Sequence, residues 1–187
     1  MTSIIDRPHS ALLVIDMQIG VVAHGFDVPR VVGNIQTLVE RARAERVPVI
    51  WVQHHDEELP QGSDAWRYVA ELQRREDEPT VHKCYGDAFE ETELEALLAA
   101  RKVGRLVVTG AQTDACIRAT LHGALVRGYD ALLVEDAHTT EDMRPWGSPI
   151  GPEQAIAYTN MYWRHTRAPG RAGGCVKAAD VRFSQVV

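Results

Sequence analysis

Hydrophobic and polar positions alternate along the chain in two rhythms. "ALLVIDM" (11–17) is a continuous apolar run closed by an acid, the pattern of a strand buried on both faces. "VPVIWVQ" (47–53), "RLVVTG" (105–110) and "ALLVEDA" (131–137) read the same way, and "TVHK" (80–83) is a shorter strand. Between these runs the spacing changes. Val31, Ile35, Leu38 and Ala42 recur at helical intervals, with Val32 and Val39 beside them. Leu94, Leu97 and Leu98 line one side of another helix, with Thr92 as its candidate cap and Glu95 three positions on. From about Asp114 a helix carries Ile117, Leu121, Ala124 and Leu125 inward until Gly128 stops it. A last helix runs from about Pro152 to Trp163, and the tail "RAGGCVKAADVRFSQVV" adds a short strand near Cys175–Val176 and packs over the domain. Residues 54–79 keep neither rhythm. They are polar and charged, with a short helical piece expected around Trp66, Val69 and Leu72, and are long enough for a lid or a subunit contact.

Strand then helix, repeated, predicts an α/β fold: a three-layer α/β/α sandwich with a mostly parallel central sheet, one domain over residues 1–187. No G-x-G-x-x-G follows the first strand and no G-x-x-x-x-G-K-[ST] occurs, so no nucleotide cofactor is expected. The formal charge of −6 disfavours a nucleic-acid partner, and no apolar run approaches a membrane span. The N-terminal "MTSIIDRPHS" lacks the apolar core of a secretory signal. Cys84, Cys116 and Cys175 have neither disulfide-framework nor metal-knuckle spacing, so a reducing cytoplasmic setting is expected.

In an open α/β sheet, ligands collect beyond the carboxyl ends of the strands. Asp16 ends the first predicted strand, Lys83 ends the third, and Cys116 lies just past the fourth. Cys116 falls in the first turn of its helix, where free N–H groups and the positive end of the dipole favour a thiolate. A small buried hydrophobe at a tight junction is the bland alternative. Asp16 emerges from an apolar run; it either caps a loop or serves as a base for the thiol. Lys83 is either a solvated surface lysine or, in a cleft, the cation that holds the other two in place. "HHD" at 54–56 has no metal-ligand spacing, so no metal is expected. His122 reads as structural.

These pieces together resemble the isochorismatase-like cysteine hydrolases, the superfamily of nicotinamidases, N-carbamoylsarcosine amidohydrolase and streptothricin hydrolase. The resemblance rests on "ALLVIDMQ" (11–18), "VHKCYGDAF" (81–89), "VVTGAQTDACIRAT" (107–120) and "GYDALLVEDAHTT" (128–140), in family order over most of the chain. It implies a catalytic triad of Asp16, Lys83 and Cys116, a non-proline cis peptide at Ala111–Gln112, and an oxyanion hole from the N–H groups of Gln112 and Cys116. "VQHHDEE" (52–58) departs from the Asp-x-His metal motif of nicotinamidases. Isochorismatases that cleave a vinyl ether commonly lack the cysteine, so its presence favours a small amide, ureide or related acyl substrate.

Gln18, His54, Trp66, Tyr85, Phe89 and His138 are the expected pocket walls, with Trp146 and Asn160 weaker candidates; Phe89 reads equally as a core anchor. Vinyl-ether cleavage with Asp16 as acid, and a non-catalytic interaction protein, are the competing readings. Family members often form homo-oligomers, so a homodimer is expected, with Trp51, Trp66 and Trp163 as candidate contacts.

Overall fold

In the computed structural model, which describes residues 2–184, seven strands form one sheet in the order β3-β2-β1-β4-β5-β7-β6. They are β1 (His9–Ile15), β2 (Val49–His54), β3 (Thr80–Lys83), β4 (Val103–Ala111), β5 (Asp130–Thr139), β6 (Arg167–Ala168) and β7 (Arg171–Val176). All neighbours pair in parallel except β6 with β7. The chain ends read in the sequence, Met1 and residues 185–187, lie outside the described residues.

Helices α1 (Ile19–Val22), α2 (Val28–Ala44), α3 (Leu94–Ala100), α4 (Arg118–Arg127) and α5 (Pro152–His165) connect the strands. Successive β1 side chains point to opposite faces, which gives two cores. Leu12 and Val14 meet the α2 stripe of Val31, Ile35, Leu38 and Ala42, and the tail closes this layer with Val181 and Phe183. Ala11, Leu13 and Ile15 meet Leu94 and Leu98 of α3, Leu121 and Ala124 of α4, and Trp163 of α5. The three-layer α/β sandwich with a mostly parallel sheet expected from the apolar runs is the one observed.

Several local readings need correction. No helix forms around Trp66, Val69 and Leu72; the segment is a series of turns. Here Glu78 accepts bonds from Arg43 at 2.7 Å and from Trp51 Nε1 at 2.8 Å, and Gln18 bridges to Tyr68. These tertiary ties, invisible to local periodicity, outcompete helical hydrogen bonding. Trp51 and Trp163 are wholly buried in the two cores, so neither is available as a subunit contact. Thr92 accepts the Leu94 amide, but Glu95 turns to Arg7 and Tyr129 instead of completing a capping box. β1 ends at Ile15, two residues before the apolar run does, because Asp16 takes a left-handed backbone conformation.

The order of the sheet fixes where chemistry can occur. β2 and β3 lie on one side of β1, and β4 and β5 on the other, so the chain reverses direction across the sheet between β1 and β4. In open α/β sheets ligands bind beyond the carboxyl edge at such a switch point. Gly110 lets β4 close tightly on β1: its φ is 120°, and a Cβ there would stand 1.9 Å from the Ile15 carbonyl oxygen.

Candidate active site

Asp16 follows β1, Lys83 closes β3, and Cys116 lies in the turn after β4. Lys83 belongs to a strand two places from β1, a lateral gap of about 10 Å. Only a long side chain crosses it. The Lys83 ammonium arrives 2.7 Å from Asp16 Oδ2 and 3.2 Å from Cys116 Sγ. Asp16 and Lys83 are 1% and 2% exposed, so both charges are out of water and depend on one another. Lys83 is thus not a solvated surface lysine. Apart from that ion pair, neither Asp16 oxygen has a hydrogen-bond partner among the described residues, which leaves lone pairs for a thiol proton.

Cys116 sits on a wide π-turn, Thr113–Ile117, rather than at the start of the expected α-helix. The Ala115 and Ile117 amides both donate to the Gln112 carbonyl at 3.1 Å, which sets that width. The peptide Ala111–Gln112 is cis. Three side chains tie the turn to the end of β5 and beyond. Gln112 reaches Glu141, Thr113 reaches His138, and Asp114 accepts from Thr140.

The electrostatics differ from the reading by helix position. Burial, and then the Asp16 charge, push the Cys116 thiol up to about 12, against the pull of Lys83. The resting sulfur therefore carries a proton. Burial pulls the Lys83 ammonium down, but the Asp16 carboxylate and the Cys116 sulfur outweigh it and leave the group above its ordinary value. The positive end of a helix is a weak influence beside a carboxylate in the same dry pocket.

An isochorismatase domain model matches residues 10–148 of the chain, which include all three groups. The chain belongs to the isochorismatase family. It is 36% identical over 145 residues to a streptothricin hydrolase of Streptomyces noursei, a match covering 73% of this chain and 57% of that protein. It thus spans little more than half the length of that relative. A solved isochorismatase-family protein superposes with a TM-score of 0.78 at 28% identity, covering 87% of this chain and 96% of the other. A cysteine hydrolase from Pseudomonas syringae pv. phaseolicola 1448A shares the fold, with a TM-score of 0.82 at 21% identity, covering 94% and 92%.

Within this isochorismatase-family fold the expected pocket walls separate into groups. Gln18 is fully buried and spent on backbone: its amide brackets His54, accepting from the N–H at 2.8 Å and donating to the C=O at 2.9 Å. Phe89 lies in the core against Tyr129, with Arg127 over its ring, so of its two readings the core anchor is the one observed. Trp66 is half-buried and stacks on His82 at 5.5 Å. Tyr85 stands half-exposed two residues past Lys83. Trp146 is 72% exposed at the end of a short 3-10 turn, and exposed His122 stacks on Tyr162. Of the weaker sequence candidates, only Asn160 joins a network reaching the Cys116 turn. Two neighbours escaped the sequence reading. Tyr68 is raised by burial and by the Asp16 charge, and Asp56 holds the outer nitrogen of His54 at 2.9 Å. Both sit in the turn-rich segment, where no period marks a buried face.

His138 belongs to β5 itself and is 1% exposed. Asn160 donates to the Glu135 carbonyl, so its Oδ1 accepts from His138 Nε2 at 2.9 Å. His138 Nδ1 then accepts from the Thr113 hydroxyl at 2.8 Å. Both nitrogens are occupied in bracing the turn that carries Cys116. Burial depresses His138 to about 4, with the Asn160 bond working against it. Because the folded value lies below the ordinary 6.5, the stabilisation is complete above 6.5 and is lost as pH falls from there toward about 4. Denaturation at pH 7 and pH 4.5 is expected to show a loss of up to roughly 3 kcal/mol from this group. A His138→Gln variant, weaker at pH 7, is expected to lose less on acidification, so the gap to wild type narrows. A gap independent of pH would contradict the assignment.

A cavity of about 750 Å³ lined by Arg7, His9, Lys102 and Arg105 lies at the amino ends of β1 and β4. It occupies the sheet edge opposite the triad.

Proposed function

We propose that the protein is a cysteine-dependent hydrolase of a small amide, ureide or related C–N acyl substrate, acting through a thioester on Cys116. One observation carries this reading: a buried ammonium lies within 2.7 Å of a carboxylate and 3.2 Å of a thiol sulfur at the switch point of the sheet. As the substrate carbonyl seats against Cys116, Asp16 accepts the thiol proton and the sulfur attacks the carbonyl carbon. Lys83 balances the charge that passes between sulfur and carboxylate. The oxyanion faces the N–H groups of Gln112 and Cys116. Collapse breaks the C–N bond, and Asp16 returns its proton to the leaving nitrogen. Water then gives a proton to Asp16 and its hydroxyl to the thioester; the C–S bond breaks, the acid leaves, and Asp16 passes that proton to the departing sulfur, restoring the thiol and its own carboxylate. A thiol that keeps its proton at rest suits this sequence, since the thiolate forms only when a carbonyl is present to receive it. No resident cofactor or metal enters these steps.

The same reading takes the protein as cytoplasmic, where the free thiol of Cys116 stays reduced. It also takes it as a homodimer, with the exposed Tyr158 and Met161 of α5 as apolar surface for the contact. No helix among the described residues is long and apolar enough to cross a membrane.

The test is a panel of small amides, ureides, streptothricin and isochorismate, acid-quenched and read by intact mass. The expected result is a transient acyl adduct on Cys116 with release of the amine. Turnover of isochorismate with no adduct would replace this reading by vinyl-ether cleavage.

A further inference from the structure

His54 closes β2, directly beside Lys83 in the parallel register of β2 and β3. The lysine stem therefore passes His54 on its way to Asp16. An ammonium has three protons to donate and nothing to accept with. Three acceptors surround this one: Asp16 Oδ2 at 2.7 Å, Cys116 Sγ at 3.2 Å and His54 Nδ1 at 3.4 Å. Since Lys83 only donates, His54 Nδ1 accepts, and its proton resides on Nε2, which meets Asp56 Oδ2 at 2.9 Å. Asp56 is itself fixed by the amides of Glu58 and Leu59, at 2.9 and 2.7 Å. The backbone of His54 is gripped at both ends by Gln18. Its neighbour His55 turns the other way, to Cys84 at 3.5 Å.

We propose that His54 is a positioning residue rather than a pocket wall: with Asp56 behind it, it holds the Lys83 ammonium between Asp16 and Cys116. Both of its ring nitrogens are already engaged, which leaves it no polar atom for a substrate. The groups facing it are Lys83 from β3 and Asp56 from its own loop, with Asp16 of β1 and Cys116 of the π-turn beyond the ammonium. Without His54 the ammonium has one anchor fewer and drifts from the sulfur. The thiolate then loses its nearest cation and forms only at higher pH.

The inference rests on the proposed triad, and its test needs no substrate. In a Cys84→Ser background, the rate of Cys116 alkylation by iodoacetamide is measured from pH 6 to pH 10 by peptide mass. His54→Ala is expected to slow alkylation at least about tenfold at a given pH and to move its rise to higher pH. His54→Asn, whose amide oxygen can stand in for Nδ1, is expected to recover much of the rate. Asp56→Asn is expected to fall between. Thermal melts confirm that each variant is folded. Alkylation unchanged or faster in His54→Ala, as when a mere wall is removed, overturns the inference and leaves the triad standing. Alkylation of Cys116 as fast in a folded Lys83→Met variant as in wild type overturns both, since the lysine would then give the sulfur no support.

Discussion

Cys116→Ala is expected to lower kcat/KM by at least about 10⁴-fold while leaving the fold intact. In the proposed mechanism the sulfur forms the covalent bond to the carbonyl carbon, and alanine removes it without changing the main-chain chemistry of the π-turn. Cys116 packs only at the margin of its core, so the stability change is expected to stay within about 1 kcal/mol. Thermal melts and a hydrolysis assay, run together, check both halves. The adduct on the wild-type protein must be absent from the variant, since exposed Cys84 meets His55 and buried Cys175 meets Asn160. Undiminished turnover in Cys116→Ala would end the thioester mechanism.

Asp16→Asn is expected to have the largest effect on stability, about 3–5 kcal/mol, together with loss of activity. The substitution leaves the Lys83 ammonium buried without its counter-charge. Backbone strain does not confound it, because Asp16 has φ of 50° and asparagine tolerates the left-handed region at least as well as aspartate. The pH dependence has a definite sign. Lys83 is raised above 10.5 in the fold, so the stabilisation from its pairing is fully present below 10.5 and is lost only as pH climbs through the folded value. Urea denaturation should therefore show a wild-type advantage that persists from neutral pH to the mildly alkaline range. Lys83→Met is expected to destabilise comparably. The double variant Asp16→Asn, Lys83→Met should lose much less than the two single losses combined, since no unpaired ion remains. Additive losses would mean that the two groups are not an energetic pair.

Much of this site is legible in the sequence. Continuous apolar runs announced strands buried on both faces, and the rule that ligands gather at strand carboxyl ends picked out Asp16, Lys83 and Cys116. Other roles were hidden for specific reasons. Gln18, His54 and His138 look alike in sequence, as polar residues near strand ends. Yet Gln18 clamps backbone, His54 stands beside the lysine stem and His138 braces the π-turn. The Thr113 and Asn160 partners of His138 are 25 and 22 residues away along the chain. The helical spacing of Trp66, Val69 and Leu72 predicts a helical piece within segment 54–79. In the fold, those residues answer to partners on β2, α2 and the segment after β1.

By itself the sequence determined the layer architecture, the order of strands and helices, and which three groups reach one edge of the sheet. Periodicity records burial, and burial is a local property of each element. Strand order is not local: it arises from how separate elements pair. Only the tertiary structure decided that β2 lies between β1 and β3, and therefore that His54 meets the lysine on its path. It also decided that the thiol rests protonated, because burial, and then a carboxylate one hundred positions away, outweigh the turn that carries the sulfur.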